Sequence, residues 1–230
     1  MLEEGAERLT FSAISPPQLL DQSHAEGRRL LGATRIGLGS GLAESGVPVQ
    51  SILAPVLGEG LQVAGEAWFS SNDVQPGLFE GIRYRRTQSV VFGVVDLAED
   101  DFDVSGAGAT PLQQATENAY RRVFALLDGI GLPHLWRVWN YFPRINAEEG
   151  GLERYRQFNI GRHDAFAACG QLVAGQLPAA CALGVAEGPL TIAFLAGRVP
   201  AQSVENPRQV SAWRYPPAYG PRSPTFARAS

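Results

Sequence analysis

Hydrophobic and polar positions divide the chain unevenly. Residues 61–69 (LQVAGEAWF) and 82–97 (IRYRRTQSVVFGVVDL) are dense in β-branched and aromatic side chains, which predicts strands. Residues 98–110 turn acidic and then glycine-rich, a loop pattern. From Pro111 the period lengthens: Leu112, Ala115, Ala119, Val123, Leu126 and Leu127 share one face, predicting a helix over 111–128 that packs on a sheet. Thr110 is placed to cap it, with Pro111 at the first helical position and Gln113 completing a capping-box pattern. Gly129 is the expected left-handed stop.

Residues 134–142 (HLWRVWNYF) predict a strand closed by Pro143. Regular alternation puts Leu135, Arg137, Trp139 and Tyr141 on one face and His134, Trp136, Val138, Asn140 and Phe142 on the other. A second helix is expected from Gly151 to Ala168, then strands at 179–186 and 190–197 around the turn Glu187-Gly188-Pro189. Helix, strand, helix, strand, strand in that order predicts an α+β layer fold, a mixed sheet with both helices on one face. Leu9 to Leu57 shows only short apolar runs broken by Gly and Pro, which predicts an irregular N-terminal extension. Gly37-Leu38-Gly39-Ser40-Gly41 has neither the GK[ST] ending of a phosphate loop nor dinucleotide-fingerprint spacing, and is expected to be a turn. After Arg198 the chain becomes rich in Pro, Arg and Ser, as a connector does.

Charge narrows the function classes. A net charge of −4 gives no bulk electrostatic support for nucleic-acid binding. The 19 basic residues are all arginine, which removes Schiff-base lysine chemistry and a phosphate-loop lysine. No apolar run approaches the ~20 residues a membrane helix needs, and the acidic start lacks an apolar signal region, so a cytoplasmic protein is expected. Cys169 and Cys181 lack metal-ligand spacing and are expected to be small buried hydrophobes. Three scattered histidines give no facial metal triad, which argues against a metal-dependent oxygenase.

Candidate chemistry concentrates between Leu132 and Phe166, where five arginines accompany Trp136, Trp139, Tyr141, Tyr155, His134, His163 and Asn159. Arginine is costly to bury and is kept inward mainly to pair with carboxylate or phosphate. Arg154 and Arg162 fall two helical turns apart on roughly one side. Ordinary roles stand beside functional ones. Tyr141 also fits a half-buried strand aromatic, and Arg154 and Arg156 also fit exposed arginines paired to Glu153 or Asp164. Arg162 is favoured as an anion ligand because Gly161 before it permits close backbone approach. His163 and Asp164 point in different directions on a helix, which favours surface or capping roles over a catalytic pair. Arg83, Arg85 and Arg86 fit a solvated strand face.

Four stretches, LWRVWNYFPRIN, GLERYRQFNIGRHDAF, PAACALG and PAQSVENPRQVSAWRYPPAYGPRSPTFARA, together resemble the chorismatase family. That family contains chorismate hydrolases and the related 3-hydroxybenzoate synthases. The resemblance covers most of the chain and is most specific from Leu132 to Ala229. It implies a RutC (YjgF-like, chorismate-mutase-like) unit over residues 1–208. Residues 209–230 would then be a linker and the opening of a second RutC-like domain, and Tyr219-Gly220-Pro221-Arg222-Ser223-Pro224 resembles the start of such a unit.

By the same resemblance the substrate is chorismate, whose enolpyruvyl ether is cleaved to pyruvate plus a dihydroxycyclohexadiene carboxylate or 3-hydroxybenzoate. Tyr141, Arg154, Asn159, Arg162 and Tyr215 are the substrate-holding residues it implies. The general acid would be a Glu of the C-terminal domain, leaving no catalytic residue in this chain, and cleavage by such an acid implies no metal or organic cofactor. A non-catalytic RutC-like module that binds a small carboxylate or a partner subunit is the alternative. Such a unit standing alone is expected to expose the apolar face of its sheet and to self-associate.

Overall fold

A computed structural model describes residues 7–14, 29–37, 46–56, 63–102, 108–173, 175–202, 204–216, 218 and 220–229. Strands β1 (Leu9–Ile14), β2 (Arg29–Gly37), β3 (Val49–Ile52) and β4 (Val63–Ser70) form one sheet in the order β1-β4-β2-β3. Strands β5 (Gln75–Phe79), β6 (Ile82–Arg86), β7 (Val90–Leu97), β8 (His134–Pro143), β11 (Ala179–Val185) and β12 (Leu190–Gly197) form a second, ordered β11-β8-β12-β7-β6-β5. Between them in sequence come helix α1 (Pro111–Ile130), the short pair β9 (Glu148–Glu149) and β10 (Leu152–Glu153), and helix α2 (Arg154–Ala168).

The expected α+β arrangement is present from β5 to β12. Leu112, Ala119, Val123 and Leu127 of α1 join Phe158 and Phe166 of α2 in one core against Val91, Val138, Phe142 and Ile192 of the larger sheet. Full burial of each large apolar side chain contributes roughly 1.5–3 kcal/mol, so this interface dominates the stability. Strands β8 and β11 pair in parallel with α2 as their crossover, and β12 inserts antiparallel between β8 and β7. The turn at 187–189 therefore joins two strands that do not pair with each other. Among the described residues no helix is long and apolar enough to cross a membrane.

Several boundaries differ from the sequence expectation. Helix α1 runs past Gly129 and stops at Gly131, whose φ of 71° supplies the left-handed cap. Thr110 accepts a hydrogen bond from the Gln113 amide, as expected of the cap. Helix α2 starts at Arg154 rather than Gly151, because Gly150 and Gly151 turn through positive φ and Leu152–Glu153 pair with Glu148–Glu149. The run at 82–97 is a hairpin of β6 and β7.

The largest correction concerns Leu9 to Leu57. Its described residues supply β1, β2 and β3, which with β4 make a second layer. That layer covers the face of the large sheet opposite the helices, burying Val90, Phe92, Val94, Ala193 and Leu195 around Leu31. The contact is close at Gly32, where an added Cβ would lie 2.1 Å from the Phe92 ring. Most of the sheet face expected to stand bare is thus buried within the chain. Arg85, expected on a solvated face, is half-buried and donates to the carbonyls of Leu30 and Gly46, linking the sheets. The Leu38 to Gly41 stretch lies outside the described residues.

Candidate functional site

Strand β8 and helix α2 position the implied ligands, but on different sides of the large sheet. Tyr141 lies with Trp139 on the face toward the small sheet, half-buried among Leu31, Phe92 and Leu195. Burial pushes its hydroxyl up to about 12, with Cys181 and Glu66 adding to the shift, so it is a proton-bearing donor at any ordinary pH. Strict alternation along β8 fails near its start. A register shift between Leu195 and Ala196 of β12 sends Leu135 into the helix-side core and Trp136 to the side of Trp139.

Arg154, Asn159 and Arg162 lie on the buried face of α2. That face is polar for a core face, holding Gln157 as well, and the reason differs at its two ends. At the first turn Arg154 is fully buried and saturated. Its guanidinium donates to the Pro143 carbonyl at 3.0 Å, to Glu149 at 2.6 Å and to both carboxylate oxygens of Glu99. With these bonds made it has no free edge for a substrate carboxylate, and its geometry is that of a structural clamp on the strand end and the β9–β10 pair.

Two turns later Arg162 is 2% exposed and meets no carboxylate among the described residues. It donates to Asn159 Oδ1 at 3.2 Å, and its Nε has no acceptor. Phe158 and Phe226 lie against the guanidinium, with centroids 5.2 and 5.5 Å from Cζ. Tyr120 beneath it donates to Asn140 Oδ1 at 2.7 Å, and Asn140 donates to the Cys181 carbonyl. Burial raises the Tyr120 pKa, while the Arg162 charge pulls it the other way. Gly161 serves this arrangement by pressing α2 onto α1: an added Cβ would sit 2.2 Å from the Gln113 carbonyl oxygen. The close approach foreseen at Gly161 is therefore to a neighbouring helix.

Tyr215 lies in the segment after β12, where its hydroxyl accepts from Arg228 at 3.0 Å. That segment folds back over α2. Arg222 pairs with Asp164 at 3.2 Å, His163 Nδ1 lies 3.4 Å from the Ser223 carbonyl, and Phe226 covers Arg162. His163 and Asp164 thus hold the segment and do not face each other as a catalytic pair. Arg156 makes a long 3.5 Å contact with Glu153. Asn159 and Arg162 are brought together, Arg154 is enclosed by its acids, and Tyr141 stands across the sheet. Cys169 and Cys181 are free thiols, half-buried rather than fully buried, with pKa values raised by burial. Among the described residues no three His, Cys, Asp or Glu side chains converge on a metal position.

Sequence reasoning missed Arg137 and Glu66, which share the mouth between the sheets with Trp68, Trp136 and Trp139. Arg137 carried a partial signal as a neighbour of Tyr141 on one strand. Glu66 carried none, because its strand belongs to the other sheet.

The chain is similar to known proteins along most of this structure. The family described as chorismatase FkbO/Hyg5-like, N-terminal, matches residues 66–196. A chorismatase of Streptomyces hygroscopicus is 40% identical over 167 residues, 72% of this chain and 46% of that protein. A 3-hydroxybenzoate synthase of the same organism is 36% identical over 171 residues, 72% of this chain and 46% of that protein. A crystal structure of a chorismatase superposes with a TM-score of 0.77 at 32% identity, over 97% of this chain and 63% of that one. The chain spans about half the length of the curated relatives it matches.

Proposed function

We infer from one fact, that this chain belongs to the FkbO/Hyg5-like chorismatase family, that it supplies the substrate-holding part of a chorismatase. The layered unit from β5 to β12 is read as RutC-like, which its helix, strand, helix, strand, strand order supports. Residues 1–208 form the holding domain in this reading, and residues 209–230 lead toward a partner RutC-like domain. Chorismate is a dianion, and the observation that carries the reading is Arg162, a buried cation with an unused Nε and no acid paired with it among the described residues. An uncompensated charge costs several kcal/mol, and an incoming carboxylate removes that cost while accepting bidentate hydrogen bonds. Phe226 closes the outer side of the guanidinium, so the segment carrying it moves aside on binding.

Cleavage proceeds by protonation of the enol methylene carbon, which leaves an oxocarbenium ion at the ether carbon. Water adds to that ion, the resulting hemiketal collapses with cleavage of its bond to the ring oxygen, which leaves as the alcohol, and pyruvate departs. The step requires a positioned acid. Glu99 and Glu149 are already committed to Arg154, and no other described carboxylate contacts Arg162. In this reading the donor is a Glu of the partner RutC-like domain. The same observation favours a second reading, a module that binds a small carboxylate without transforming it.

Calorimetric titration with chorismate, run beside an assay of pyruvate release, tests both readings. Binding without pyruvate, restored to turnover by adding the remaining half of a relative, supports the first. Binding that is unchanged in Arg162→Met would sink the assignment of Arg162.

A further inference from the structure

The mouth between the two sheets, across the large sheet from Arg162, holds an open cleft of about 840 Å³. One wall is a continuous run of rings. Phe11 and Trp68 lie 5.2 Å apart by centroid, and Trp68 and Trp139 lie 5.7 Å apart. Trp136 joins the same cleft through the irregularity at the start of β8. Two charges face this apolar surface. The Arg137 guanidinium lies 5.5 Å from the centre of the Trp139 ring, and Glu66 projects from β4 in the other sheet.

Arg137 and Glu66 form no ion pair with each other or with any described residue. Glu66 stands on β4 of the small sheet and Arg137 on β8 of the large one, and both line the cleft. An uncharged ring placed here leaves two charges unanswered, and a dicarboxylate meets Glu66 as a repulsion. A molecule with one carboxylate, one ammonium and a planar ring satisfies all three features. Its carboxylate meets the planar fork of Arg137, its ammonium meets Glu66 beside the indole faces, and its ring stacks on Trp68 or Trp136.

We infer that this cleft binds an aromatic zwitterion of the α-amino acid class, at a site separate from the one that holds the dianion. The inference does not rest on the chorismatase reading, since the two sites lie on opposite faces of the large sheet.

Three of the four tryptophans line the cleft, so intrinsic fluorescence reports on it directly. The probes are L-phenylalanine, 3-phenylpropionate without the amine, and phenethylamine without the carboxylate. L-phenylalanine is expected to bind best, with each single-charge analogue weaker by roughly tenfold, the loss of one charge-assisted contact. Glu66→Gln is expected to reduce L-phenylalanine to the level of 3-phenylpropionate, and Arg137→Gln to the level of phenethylamine. Arg162→Met is expected to leave all three affinities unchanged, which keeps this result independent of chorismate binding. Equal affinity for L-phenylalanine and 3-phenylpropionate on the unmodified chain would overturn the inference. So would the absence of any response at millimolar concentrations of all three probes.

Discussion

Arg154 and Arg162 lie two turns apart on one helix, and each is at most 2% exposed. At the first, two carboxylates and a carbonyl take up the guanidinium, and the charge joins the helix start to Glu99, to β9 and to the end of β8. At the second, the Asn159 amide oxygen, the Tyr120 hydroxyl and two aromatic rings surround the guanidinium among the described residues, and Nε is left over. Burial is the same and the consequence is opposite. A buried arginine marks an anion site only when its partners leave part of the fork unused.

Breaking the saturated end has the largest expected effect. Arg154→Met leaves Glu99 and Glu149 without their cation and frees the β9–β10 pair, a loss of about 3–5 kcal/mol in urea unfolding. Gly161→Ala comes next. Its Cβ clashes with the Gln113 carbonyl and pushes α2 off α1, at a cost of roughly 1–3 kcal/mol, read as a lower thermal midpoint. Arg162→Met is expected to differ in kind. Replacing an uncompensated charge with an apolar chain changes stability by less than about 1 kcal/mol or raises it, while chorismate no longer shifts the midpoint. If Arg162→Met proves as damaging as Arg154→Met, the contrast between the two ends is void.

Tyr141 offers a smaller contrast on the other side of the sheet. Its folded pKa of about 12 lies above the ordinary tyrosine value of 10.0. Below pH 10 both states hold the proton and stability is unaffected. Between 10 and 12 only the unfolded chain loses it, so stability falls as pH rises. Tyr141→Phe should flatten that decline in thermal unfolding measured from pH 9 to 11. Asp164→Asn is expected to have the least effect. It weakens one exposed ion pair to Arg222, worth a few tenths of a kcal/mol, and its signature is faster amide exchange at residues 222–227.

The central and C-terminal elements were legible in the sequence because each carries its own local signal. Helix α1 has an apolar stripe, a capping threonine and a terminal glycine. Strands β8, β11 and β12 are short apolar runs between turn residues. Leu9 to Leu57 was not legible, since its strands are short pieces between Gly- and Pro-containing stretches, and β2 buries residues on both faces, which removes the alternation a half-exposed strand shows. Only the large sheet gives them a surface to pack on. The irregularity in β8 was equally hidden. It is set by the register with β12, and it reverses the sides taken by Leu135 and Trp136.

The sequence by itself determined the family, the order of the long helices and strands from α1 to β12, and the concentration of arginines and aromatics around β8 and α2. These follow from local propensity, periodicity and motif, which adjacent residues carry among themselves. The tertiary structure decided which arginine is spent and which is available. Glu99 and Glu149 reach Arg154 from separate segments and no described acid reaches Arg162, and which charges meet across such loops depends on how the layers close. It also decided that Tyr141 and Arg162 face opposite sides of one sheet, because adjacent elements in the chain take their faces from what packs on them.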